Sequence, residues 1–193
     1  MVITTDVSCR GESWYQIDHR LKDTFFKSMW EAFKLSMAIG ILYDRAKKDI
    51  SDNDDKVTIS RNMFIQHAEE ISYFFKTAII TSNLVDFSEK DRLYLAFSED
   101  VTEEELESDE RDVLIQGVSE DALSFDKAAF LKGFANYGAD RLAACISSND
   151  NETMENLMDF LDDSYNGETE ELLQMREINE DFDVEFDDEV IES

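Results

Sequence analysis

Along most of this chain apolar residues recur at helical spacing. Between Trp14 and Tyr43 they fall at Trp14, Ile17, Leu21, Phe25, Met29, Phe33, Met37 and Ile41, steps of three and four that hold them on one side of a helix. The spacing predicts a long helix, or two in tandem. Phe26, Trp30, Ala38 and Leu42 widen the stripe, as expected of a central helix covered by neighbours on more than one side.

The charged run from Asp44 to Asp55 then predicts an exposed loop, with only Val57 to Ile59 beyond it as a possible short strand. Ser60 is placed to N-cap a helix carrying Phe64, Ala68, Ile71, Phe75 and Ala78, and Ser88 with Asp91 three residues on forms a variant capping box for a shorter one. Phe125, Ala129, Phe130, Phe134 and Tyr137 repeat the helical spacing, and Gly138 is placed to end or kink that helix before Leu142 and Ile146. Met154, Leu157, Met158 and Leu161 make a last amphipathic stretch that turns at Asn166 and Gly167.

Composition sharpens the fold class. The chain has no proline, six glycines and 14 phenylalanines among 193 residues, which disfavours a turn-rich sandwich or barrel and supplies ample apolar area for a core. The expectation is an all-α fold: a compact bundle of about five to six helices over residues 12–165, followed by an acidic, partly disordered tail over 166–193.

Charge divides the chain unevenly. Through residue 97 there are 13 basic and 15 acidic side chains; the remainder holds 5 basic and 31 acidic, so nearly all of the net −28 lies in the C-terminal half. Direct nucleic-acid binding is disfavoured, since phosphates are repelled and few cations are available to displace counterions. Cys9 and Cys145 stand too far apart for a metal or redox motif. Neither a secretory signal nor an apolar run of membrane-spanning length is evident, so a cytoplasmic protein without a membrane contact is expected.

Candidate chemistry is sparse. The glycines cannot form a phosphate-binding motif, and His19 and His67, both on predicted helices, are expected in structural or surface roles. Asp162, Ser164, Asn166, Gly167 and Glu168 imitate a calcium loop, but Leu173 stands where its bidentate glutamate belongs, so a solvated acidic turn is expected. Asp54 and Lys56 resemble the end of a D-x-K nuclease signature inside a polar loop, without further acids on a rigid scaffold. No catalytic, cofactor-binding or metal-ligating residue is assigned, and no cofactor is expected.

The remaining candidate is an interaction segment. Asp181, Phe182, Asp183, Val184, Glu185 and Phe186 alternate acid and apolar residues, with Asp187 and Asp188 following, so an extended backbone would gather the apolar side chains on one face. Such a segment could join a partner's sheet edge or dock on a basic, apolar groove. Acidic rows could also imitate duplex phosphates, provided a rigid surface fixes the carboxylates, whereas most of these lie in a segment expected to be mobile.

Two stretches, Phe26-Lys27-Ser28-Met29 with Ala32-Phe33 and Ala38-Ile39-Gly40, and Phe134-Ala135-Asn136-Tyr137-Gly138 with Leu142, resemble small accessory proteins of bacterial DNA phosphorothioation (Dnd-type) defence systems. The resemblance implies an anti-phage or DNA-modification accessory role and assigns no catalytic residue. The function expected is a non-catalytic accessory protein that binds a protein partner with a basic surface, partly through its acidic C-terminal half. The alternative is a DNA-mimic inhibitor of a nucleic-acid-binding protein.

Overall fold

The computed structural model describes residues 3, 5–48, 55–98 and 115–175. The chain forms two compact units, Met1–Ala144 and Cys145–Ser193; the boundary expected near residue 165 falls inside the second. The fold is predominantly helical, as the spacing predicts. In the first unit strand β1 (Val7–Arg10) leads into α1 (Glu12–Gln16) and a π-helical turn, Ile17–Leu21. Next come α2 (Met29–Leu42), β2 (Lys56–Ile59), α3 (Arg61–Gln66), α4 (Ala68–Thr81), α5 (Glu89–Phe97), α6 (Glu120–Leu123) and α7 (Lys127–Ala144). The second unit contains α8 (Asp150–Asn166) and a helical turn over 170–175.

The first predicted helix is realised in tandem pieces. The chain turns extended at Lys22, passes through a left-handed Asp23 (φ 67°), and restarts at Ser28, whose side chain accepts from the Glu31 amide. From there α2 buries Trp30, Ala32, Phe33, Ser36, Met37 and Ile39, which makes it the central helix that its broad stripe implies. The next predicted helix breaks at His67 into α3 and α4, with Ser60 capping as expected. At α5 the Ser88–Asp91 capping box forms in full, and Asp91 also accepts from the Ser119 amide at 2.7 Å, fixing the start of α6.

Gly138 departs from expectation: α7 runs through it without ending. A Cβ built there would lie 1.8 Å from the Ser36 carbonyl oxygen, and one at Gly40 would lie 2.2 Å from that of Phe134. Both glycines are therefore the means by which α2 and α7 touch backbone to backbone, the close approach that only a missing side chain permits. Around this crossing Trp14, Trp30, Phe33 and Phe64 pack with ring centroids 5.2–6.1 Å apart. On the other side Phe75, Phe125 and Phe134 set their rings edgewise to Phe130.

The polar-loop neighbourhood of Val57 does form a strand, and β2 pairs antiparallel with β1 in the register Cys9 to Val57. Alternation places Val7, Cys9, Val57 and Ile59 inward, all buried. Cys9 and Cys145 are both buried.

Candidate interaction surfaces

Helix α7 supplies one wall of a cavity of about 550 Å³ in the first unit. Its apolar lining comes from three segments remote in sequence: Ala46, then Leu84 and Val85, then Ala129 and Phe130. Among the described residues the charged side chains of the lining are lysines, namely Lys47, Lys48 and Lys132. Lys47 also pairs with Asp140.

Hydrogen bonds fix each wall. Asn136 is buried and accepts from the Trp14 indole at 2.9 Å while donating to the Lys47 carbonyl at 3.1 Å, and the Lys47 amide donates to the Gly133 carbonyl at 2.9 Å. The Leu84–Val85 wall lies in a loop without regular structure, held by Arg92. That guanidinium donates to the carbonyls of Ile79, Ser82, Val85 and Phe87 at 2.7–3.2 Å, covering the end of α4 and the loop at once. Asp44, left-handed at φ 45°, accepts from the Ser82 hydroxyl and the Asn83 amide at 2.5 and 2.8 Å. These hydrogen bonds hold the backbone of the pocket's walls in place.

The second unit carries the opposite charge. Residues 145–193 contain 18 acidic side chains and one basic, a balance of −17. In its described part Asp150, Glu152, Glu155, Asp159, Asp162 and Asp163 are all exposed on α8. Thr153, Leu157 and Ser164 face inward. Beside that inner face Met154, Met158 and Tyr165 are 45%, 59% and 89% exposed. At 3.6 residues per turn these three fall within about 40° of arc, and Glu152, Glu155, Asp159, Asp162 and Asp163 fill the next ~100°. The helix therefore shows a methionine–tyrosine stripe bordered by a row of carboxylates. Asn149 caps it and Gly167, left-handed at φ 69°, closes it, so both stripes lie on a helix with defined ends.

The interaction segment expected from sequence, Asp181 to Asp188, lies outside the described residues, as does Asp54 of the D-x-K pair. Lys56 is exposed at the start of β2. Asp162, Ser164 and Asn166 of the calcium-like motif belong to the last turns of α8, with Ser164 buried, so they do not form a separate loop. His19 stacks on Tyr15 at 4.0 Å, and His67 packs on Trp30 and meets Glu70 at 2.8 Å. Lys34 reaches the same Glu70 carboxylate at 2.8 Å, and these two hydrogen bonds, that of Lys34 foremost, hold its pKa below the ordinary value. Among the described residues no His, Cys, Asp and Glu set could hold a metal ion, and no helix is long and apolar enough to cross a membrane. The cavity and the methionine stripe were invisible in sequence, the first because it unites distant segments, the second because Met154 and Met158 read as core.

The stretches from which a resemblance to Dnd-type accessory proteins is expected lie mainly on α2 and α7 and include both crossing glycines. Compared with family models, curated proteins and solved structures, the chain matches none.

Proposed function

We propose that this chain is a non-catalytic accessory protein that engages a protein partner with a basic, partly apolar surface through its acidic C-terminal half. The observation that carries the reading is the pairing on α8 of exposed Met154, Met158 and Tyr165 with a flanking row of carboxylates. Methionine is adaptable and aromatic rings anchor interfaces, while carboxylates at the rim steer an oppositely charged partner and fix its register. The resemblance to Dnd-type accessory proteins supplies the setting, a bacterial anti-phage defence or DNA-processing complex. The segment Asp181 to Asp188 extends the same acid–apolar chemistry beyond α8.

One observation favours the second reading, a DNA mimic. Five carboxylates between Glu152 and Asp163 share one face of a capped helix, about one per 4 Å of axis, against one per 3.4 Å along a DNA strand. The methionine stripe weighs against it, since duplex backbones offer no counterpart.

The test is co-purification from the native host, comparing the wild-type chain with a Met154→Ser, Met158→Ser, Tyr165→Ser variant and with a Glu155→Lys, Asp159→Lys variant. Both should lose the partner, and raised salt should weaken the wild-type contact. A partner retained equally by all three chains refutes the assignment to α8. Competition of the recovered partner's DNA binding by the wild-type chain, lost in the charge-reversed variant and kept in the methionine variant, selects the mimic.

A further inference from the structure

We infer that the lysine-rimmed cavity of the first unit binds an amphipathic carboxylate, its apolar body between Phe130 and Val85 and its carboxylate at Lys47, Lys48 and Lys132. Volume, lining and rim support this independently of the α8 surface. About 550 Å³ lies within the range of small-molecule sites, which are concave, largely preformed and mostly apolar. Here the walls are set by Asn136, Arg92 and Asp44, each tied to backbone of another segment.

The interior also limits the ligand class. Asn136 is the neutral polar side chain of the lining, and both ends of its amide are already engaged, by the Trp14 indole and the Lys47 carbonyl. A sugar or nucleobase buried there would lose water without regaining hydrogen bonds from that amide. An alkyl or aryl body loses nothing comparable. At the mouth the lysine stems add apolar cover, and among the described residues the lining contains no carboxylate. An anionic head group at that point meets a rim of three lysines, of which Lys47 also pairs with Asp140.

Decanoate below its micellar concentration is the probe, titrated calorimetrically into the full chain, with decanol and decylammonium as neutral and cationic counterparts. Saturable binding of one decanoate per chain is expected, with decanol at least about tenfold weaker and decylammonium without measurable affinity. Lys48→Glu, at an exposed position, should weaken decanoate by at least about threefold while leaving the melting temperature nearly unchanged, and adding Lys132→Glu should weaken it to at least about tenfold. Ala129→Trp, at an exposed position on the cavity wall, should block binding by filling the space. Decanol binding as tightly as decanoate, charge reversal without effect, or no saturable binding would each overturn the proposal. So would an acidic peptide spanning residues 181–188 that binds the Lys48 and Lys132 rim where decanoate does not. None of these outcomes bears on the co-purification result, since the substituted residues lie outside α8.

Discussion

Replacing Gly138 by alanine adds one methyl group at the point where α2 and α7 meet, and the size of the response is set by what that methyl would strike. Its Cβ would sit 1.8 Å from the Ser36 carbonyl oxygen, 2.5 Å from the carbonyl carbon and 2.7 Å from Cα. All three obstacles are backbone, so no rotamer change relieves them, and the helices must part by roughly 1.5 Å to reach ordinary contact. Overpacking of a tight core costs about 1–3 kcal/mol, and a gap of that size also forfeits much of the dispersion energy of Phe33, Met37 and Phe134 nearby. Alanine returns about 1 kcal/mol through its better helix propensity. The net expectation is a loss of about 2–4 kcal/mol, a fall in melting temperature of roughly 5–15 °C for a chain of this size. Urea unfolding followed by circular dichroism measures it. Gly133→Ala is the control on the same helix: its Cβ meets only the Ala46 methyl group at 3.2 Å and a Lys47 oxygen at 3.9 Å, so it should be neutral or gain up to about 1 kcal/mol. A Gly138→Ala protein as stable as wild type would refute the backbone contact. Rescue by Ser36→Gly would also refute it, because that change removes a side chain and leaves the obstructing carbonyl in place.

Four further outcomes follow from the same geometry. Ser36→Ala should be neutral or stabilising by about 1 kcal/mol in the same assay, because the Ser36 hydroxyl is fully buried without a hydrogen-bond partner among the described residues. Arg92→Leu should cost about 2–4 kcal/mol by orphaning four carbonyls, with hydrogen exchange accelerated across residues 82–88, and Arg92→Lys should not restore it because an ammonium lacks the planar fork. Hydrogen bonds from the Ser119 amide and then the Ser88 hydroxyl lower the Asp91 pKa. Its contribution is therefore complete above the ordinary carboxylate range and is lost as pH falls through the depressed folded value, so Asp91→Asn should flatten the acid limb of a stability–pH curve. Asp162→Lys should stabilise α8 by about 0.3–1 kcal/mol in a thermal melt at low salt, since a cation replaces an anion near the helix C-terminus.

Much of the architecture was legible because periodicity and caps are local. Ser60, Ser88, Asn166 and Gly167 act where their chemistry predicts. The strand β1 escaped notice because Val7 and Cys9 are too few to display a period of two, and only its partner β2 reveals it. Gly138 was misjudged for a different reason. As a local signal it reads as a helix end, but it is retained by a neighbour about a hundred residues away in sequence, and no local rule contains that neighbour. The candidate sites divide in the same way: the acidic row of α8 is a sequence property, whereas the exposure of Met154 and Met158 depends on which arc of the helix the fold chooses to cover.

The Trp14–Asn136 bond joins residues 122 positions apart, and this separation has a consequence during synthesis. At about 5–20 residues per second, the ribosome delivers Asn136 roughly 6–25 s after Trp14. Throughout that interval Trp14, Ile17 and Leu21, all fully buried in the finished protein, await the helix that covers them. The nascent N-terminal segment thus lacks the bond to Asn136, and the cover that α7 gives it, until α7 has emerged.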